Sequence, residues 1–383
     1  MTAAMIFWWR NYRDLEQILS VSTKTESTEE IKKDNSGQSS LMDWIGSFGA
    51  EDIGVDIGTS NIVLYVKHKG LIFSEASVLA RNEITHEYFA FGTKAEEMEG
   101  KAPHEISIIR PLRNGAIIDY NGAAYLLNSI VNKSYLKSMF FHPRLIMCVS
   151  DGINSVQRRA LLEAAVAMGA RKTVLIDQPL AAMMGMNGSS KTPEGTMFVD
   201  VGGGSTKVSV LSPRGIVASQ FSTRSGIKMD QAIMNLVKEK YHVRIGRKEA
   251  ESLKIALGAQ WDLEQTPRIS ETFGLSLVSG LPVKIAVTGE DIASVVNPIL
   301  YDIFKCIRDV IQRTPPAILA DIREHGIKLI GGGSQLKGLD ILISRITGFR
   351  AYVVERPNYI NAVGAGKSLD YINEFRDSLQ DLH

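Results

Sequence analysis

Cysteine is nearly absent from this chain: 383 residues contain two, Cys148 and Cys306, each in an apolar setting. Two such residues build neither a disulfide framework nor a zinc site. The expectation is a pair of buried, reduced thiols, as in a cytoplasmic protein. An excess of one charge is lacking too. The 43 basic and 42 acidic residues leave a formal net charge of +1, without the basic surplus of a nucleic-acid binder. No apolar run reaches the roughly 18 residues that a bilayer-spanning helix needs. The apolar patch at residues 5–9, followed by Arg10 and Arg13, is too short for a secretory signal and has no basic leader. There is no HExxH, no G-x-S-x-G elbow and no Cys/His cluster, and the seven histidines are scattered.

What is present is a globular balance, 44% apolar and 22% charged. The length exceeds one hydrophobic core, so two domains are expected. Residues 1–50 stand apart. Residues 21–40 are rich in Ser, Thr, Glu and Lys and read as a flexible tether. A short amphipathic piece, residues 41–48, carries Trp44, Ile45 and Phe48. From Asp52 onward strands and helices alternate. Strands are expected at 53–55, 62–66, 145–149, 174–176, 197–199, 208–210 and 327–330. A helix over 156–168 has Asn154 or Ser155 as its cap and Gly169 at its end. Another opens at Leu180. The chain is therefore α/β.

One unit occurs twice. Gly54-Val55-Asp56-Ile57-Gly58-Thr59-Ser60-Asn61 and Phe198-Val199-Asp200-Val201-Gly202-Gly203-Gly204-Ser205-Thr206 both read as apolar strand, Asp, Gly/Ser/Thr turn and second strand. Such repetition points to two similar halves. Glycine lets backbone approach a ligand closely, and a tight turn aims several N–H groups into one concavity that suits an anion. Thr59, Ser60, Ser205 and Thr206 add hydroxyl donors. Asp56 and Asp200 would repel phosphate directly; they make sense around a Mg²⁺ that keeps several waters. Each turn alone is equally an ordinary Gly-closed hairpin. The pair, joined by a third turn at Gly331-Gly332-Gly333-Ser334-Gln335 before a helix expected from Leu336, favours one nucleotide gripped from both sides. Gly364-Ala365-Gly366-Lys367-Ser368 imitates the end of a P-loop, but Asn361 stands where that motif needs glycine. Helix packing is the expected use.

These turns, in order, resemble the actin superfamily. The segments Ile109-Arg110-Pro111-Leu112, Gly115-Ala116-Ile117-Ile118-Asp119-Tyr120, Pro179-Leu180-Ala181-Ala182, Gly226-Ile227-Lys228-Met229-Asp230, Ser279-Gly280-Leu281-Pro282 and Gly338-Leu339-Asp340 narrow the resemblance to MreB-like bacterial actins, over residues 52 to about 372. It implies an actin-like (ribonuclease H-like) duplicated fold around a nucleotide cleft. Domain I would cover 51–187, with a small subdomain near 78–115. Domain II would cover 188–383, with a small subdomain near 226–296. ATP and Mg²⁺ are the implied cofactors. Thr59, Ser60, Asn61, Gly203, Gly204 and Ser205 match the phosphate turns. Glu251 and Lys254 match an E-x-x-K that meets the nucleoside, and Gly331, Gly332, Gly333, Ser334 and Gln335 match the adenosine turn. Without the family, Glu251 and Lys254 are an i,i+3 surface ion pair.

The resemblance also implies self-assembly into double protofilaments at the inner face of the cell membrane. There the filaments would organise membrane-bound cell-wall synthesis proteins and so cell shape. Met139, Phe140 and Phe141 fall where the family places a membrane-inserting loop tip; equally, they begin the next buried strand. Trp44 and Phe48 resemble its amphipathic anchor, with residues 5–9 as a second weak anchor.

Two departures bear on chemistry. The family's water-orienting Glu and Thr are here Gln178 and Ser205. A carboxylate accepts a proton from water, whereas an amide only orients it. The expectation is ATP binding with hydrolysis slow or dependent on polymerisation. Lys207 and Arg247 also replace usual glutamates; Lys207 is expected at solvent or the cleft edge. These changes suggest a divergent paralogue. Competing readings are a scaffold that has lost hydrolysis, a chaperone-type ATPase, which carries a further substrate domain, and a sugar or acetate kinase, which needs an acidic base not identifiable here.

Overall fold

Each Asp-Gly turn joins two short runs of apolar, largely β-branched residues, and each pair folds as an antiparallel hairpin inside a five-stranded sheet. The computed structural model describes residues 52–67, 69–133, 143–150, 155–167, 169–170, 172–187, 194–259 and 268–368. Residues 1–50, with Trp44 and Phe48, and the segment holding Met139, Phe140 and Phe141 lie outside the described residues.

The first half runs β1 (Asp52–Ile57), β2 (Asn61–Val66), β3 (Gly70–Ala76), β4 (Leu79–Asn82), β5 (Tyr88–Phe91), α1 (Thr93–Glu97), β6 (Ile106–Ile109), β7 (Leu112–Arg113), β8 (Ala116–Ile117), α2 (Tyr120–Lys133), β9 (Arg144–Val149), α3 (Ser155–Ala167), β10 (Lys172–Asp177) and α4 (Gln178–Asn187). The second half runs β11 (Thr196–Val201), β12 (Thr206–Ser212), β13 (Gly215–Ser222), α5 (Gly226–Tyr241), β14 (Val243–Arg244), α6 (Arg247–Leu257), β15 (Ile269–Ser276), β16 (Pro282–Thr288), α7 (Gly289–Arg313), α8 (Pro316–His325), β17 (Ile327–Ile330), α9 (Leu339–Thr347), β18 (Ala351–Val353) and α10 (Ile360–Ser368).

The two large sheets have one topology. Their orders are β3-β2-β1-β9-β10 and β13-β12-β11-β17-β18. In both, the first three strands are antiparallel and the last two join in parallel. The repeat seen in the turns therefore extends to whole sheets. Small three-stranded sheets, β5-β4-β6 and β14-β15-β16, are inserted in corresponding places.

Each half has its own apolar core. A third cluster takes Ile146, Cys148 and Ile176 from the first sheet and Phe198, Leu211 and Ile330 from the second, with α4 and α10 between. The two helices meet backbone to backbone. A Cβ at Gly364 would lie 1.6 Å from the Ala181 carbonyl oxygen, and one at Gly185 would lie 2.4 Å from that of Ile360. Small residues are what such an approach demands, so the P-loop-like run is helix packing.

Two local expectations shift and a third narrows. The helix after the third glycine turn starts at Leu339, because Gly332–Gln335 form a 3₁₀ turn and Gly338 has φ +83°. Cys148 is buried, but Cys306 is only half-buried on α7. Of the two places expected for Lys207, solvent is excluded, since it is 4% exposed, while the cleft holds, since it lines the cavity there.

Candidate functional site

The two hairpin turns are closed by matching bonds, Gly58 N–H to Asn61 O at 3.0 Å and Gly202 N–H to Ser205 O at 2.9 Å. They abut one another. A Cβ on Gly203 would lie 1.8 Å from Ser60 Oγ, and one on Gly204 would lie 2.3 Å from Thr59 Oγ1. The third residue after each Asp thus meets the fourth residue after the other, which is the reciprocal pattern of a pseudo-two-fold axis. Only glycine fits opposite the hydroxyls. Thr59 Oγ1 also accepts from Gly115 N–H at 3.0 Å, fixing the first turn to the β7–β8 segment.

Around these turns lies a cavity of about 400 Å³. Thr59, Ser60, Asn61, Gly203, Gly204, Ser205, Glu251, Lys254, Gly331, Gly332, Gly333 and Gln335 all line it, as do Asp56, Asp200 and Gln178. Two sequence-selected hydroxyls do not. Ser334 is fully buried and donates to the Gly331 carbonyl at 2.7 Å. Thr206 donates to the Arg224 carbonyl at 2.6 Å, because strand alternation turns it away from the cleft. Lys254 is no surface partner of Glu251. It is buried and donates to Asp230 Oδ1 at 2.6 Å, tying α6 to α5.

Asp56 and Asp200 sit at the cavity floor. Desolvation, then the charge of Asp200, pushes the Asp56 carboxyl up to about 7, against hydrogen bonds from Gln178 and Asn361. Desolvation also raises Asp200, with Asn361 and Lys207 opposing it. Asn361 Nδ2 donates to Asp200 Oδ2 at 3.1 Å. Two desolvated carboxylates on one floor suit a hard divalent cation held through water. Among the described residues no group of three or more His, Cys, Asp or Glu forms a direct metal cage.

Gln178 opens α4. Its Nε2 donates to Asp56 Oδ1 at 3.4 Å, and its Oε1 accepts from Ser150 Oγ at 3.1 Å. The amide is therefore oriented from both sides. Asp177, the neighbouring carboxylate, ends β10 and does not line the cavity.

Sequence reasoning passed over Asn361, Ser150, Asp230 and the pairing of Arg247. Arg247 also lines the cavity, and its Nη2 donates to Glu96 Oε1 at 2.7 Å. Glu99 lies 3.5 Å from its Nε, and Arg110 pairs with Glu99 at 2.8 Å. This cluster joins α6 to α1, one small insert to the other. Asn361 was visible only as the residue that spoils a P-loop.

The family described as "MreB/Mbl protein" matches residues 50–377. The chain is 36% identical over 324 residues to the cell shape-determining protein Mbl of Bacillus cereus, spanning 85% of this chain and 97% of that one. It is 34% identical over 329 residues to the cell shape-determining protein MreB of Escherichia coli K12, spanning 85% and 94%. The ADP-bound crystal structure of MreB5 of Spiroplasma citri superposes with a TM-score of 0.79 at 26% identity, covering 86% of this chain and 98% of that one. The MamK double helical filament, at 20% identity and TM-score 0.71, covers 84% and 99% and shares the fold. The chain belongs to the MreB/Mbl family and is an actin-like cytoskeletal protein.

Proposed function

We propose that this chain binds ATP with Mg²⁺ in the cleft and polymerises into filaments that lie on the inner membrane face and organise cell-wall synthesis. The observation that carries the nucleotide reading is the reciprocal contact of Gly203 with Ser60 and Gly204 with Thr59 beside the 400 Å³ cavity. MreB5 of Spiroplasma citri, which shares the fold, has been solved with ADP and with AMPPNP. In this reading 51–187 and 188–383 act as two lobes, with small parts near 78–115 and 226–296. The turns receive the β- and γ-phosphates on backbone N–H groups and on the hydroxyls of Thr59, Ser60 and Ser205. Gly331–Gly333 form a flat backbone surface for the adenosine, while Glu251 and Lys254 flank it. Asp56 and Asp200 would hold Mg²⁺ through water; when bound, that ion neutralises phosphate charge.

Gln178 orients the attacking water by hydrogen bonding but takes no proton from it. Turnover is therefore slow or coupled to assembly. Trp44, Phe48, Met139, Phe140 and Phe141 are proposed membrane contacts, by their apolar character alone. Assembly is proposed on membership of the family; MamK, which shares the fold, has been solved as a double helical filament. Electron microscopy of the full chain with ATP on anionic lipid tests this reading. Filaments on the lipid are expected. Their absence across nucleotides and lipids would sink the filament claim.

A further inference from the structure

The duplication breaks at one charged position. In the first hairpin Val63 stands opposite Asp56; in the second, Lys207 stands opposite Asp200. Directly opposed residues of an antiparallel pair project from the same face. That face of β12 does not meet solvent. Val208 and Val210 point into the core of the second half, while Leu211, on the side of Lys207, packs in the cluster between the sheets. Lys207 is 4% exposed and lines the same cavity as Asp56, Asp200 and Gln178. Its charge acts on the Asp200 carboxyl and on the Cys148 thiol across the floor. An ammonium buried here is costly unless anions share its surroundings.

We propose that Lys207 is a resident cation of the phosphate site, contacting the terminal phosphates beside the Asp200 hairpin and supplying part of the neutralisation otherwise left to a divalent ion. This rests on the nucleotide reading above. Two carboxylates at the floor repel an incoming polyphosphate. A lysine offers a compact charge with three donors on a flexible stem, which suits a phosphate oxygen as well as a carboxylate. The charge of Asp200 is then offset before any metal arrives. Nucleotide binding should persist when divalent cations are removed.

The test is equilibrium binding of AMPPNP and ADP to the full chain, with Mg²⁺ and in EDTA, for wild type, Lys207→Met, Lys207→Gln and Lys207→Arg. Melting of each unliganded protein identifies variants that fold; the Gln variant serves if Met does not. Wild type is expected to lose no more than about tenfold in affinity on chelation. Losing a charge-assisted hydrogen bond costs about 10- to 100-fold, and the neutral variants should show that loss in EDTA and much less with Mg²⁺. The Arg variant should stay near wild type. A neutral variant whose affinity falls equally with and without Mg²⁺, or not at all, overturns the proposal and leaves Lys207 as a structural partner of Asp200. If wild type binds neither nucleotide under either condition, the nucleotide reading itself fails.

Discussion

Arg247 and Glu96 are 151 positions apart in sequence and 2.7 Å apart in space, joining α6 to α1 beside the cavity. Both side chains are largely shielded, so the pair is worth more than an exposed one, on the order of 1–3 kcal/mol. Arg247→Glu would set a third carboxylate beside Glu96 and Glu99, both of which already share Arg110. Bound nucleotide is expected to dissociate several-fold faster in that variant, and the difference should shrink at high salt. Stopped-flow displacement of a fluorescent nucleotide reads both; an unchanged off-rate would mean the cluster does not hold the cleft.

The contact of the two turns gives a prediction with its own rescue. Gly203→Ala puts a methyl group 1.8 Å from Ser60 Oγ, so the turns must separate and affinity is expected to drop at least tenfold, about 1.4 kcal/mol. Gly203→Ala combined with Ser60→Gly removes the clash and should recover part of the loss. Titration calorimetry decides it, and a double variant no better than the single one counts against the geometry.

Asp56 makes the empty protein pH-sensitive. Its ordinary value is 3.8, against about 7 in the fold. The folded state therefore holds the proton more tightly. Its contribution to stability is full below about 3.8 and is lost as pH rises towards 7, at no more than about 1.4 kcal/mol per pH unit. Asp56→Asn removes this dependence. In EDTA without nucleotide, the variant should gain in melting temperature over wild type as pH rises from 4 to 7. Parallel melting curves for the two proteins would contradict the assignment.

Helix packing between α4 and α10 has no slack. Gly364→Ala places a methyl 1.6 Å from the Ala181 carbonyl oxygen, and overpacking of this kind costs about 1–3 kcal/mol or more. Urea unfolding should show a lower midpoint with an unchanged slope.

Gln178 tests turnover. With Asp56 and Ser150 holding its amide, Gln178→Glu offers a carboxylate at the same place. Phosphate release is expected to rise by about tenfold or more. If wild type already releases phosphate as fast, impaired catalysis is the wrong explanation.

The strands beside both turns were legible because period-2 apolar patterning and the Asp-Gly punctuation are local properties. The sheet duplication was legible as a 144-residue repeat of one motif. What stayed hidden depends on the tertiary fold. Asn361 reaches Asp200 only because α10 crosses between the sheets. Arg247 finds Glu96 only when two insertions face each other. Thr206 and Ser334 looked like phosphate donors by residue type, yet each spends its hydroxyl on a nearby carbonyl. For Lys207 the strand pattern leaves solvent and the cleft edge open, since a charged residue on an alternating strand usually reaches water; the other half covers that face, which leaves the cleft.

The most direct measurement is titration calorimetry of the full chain with Mg²⁺ and AMPPNP. One saturable site per chain, weakened at least tenfold by Gly203→Ala, is the expected result. No saturable binding, or binding indifferent to Gly203, would show that the paired turns at Asp56 and Asp200 are not a nucleotide site.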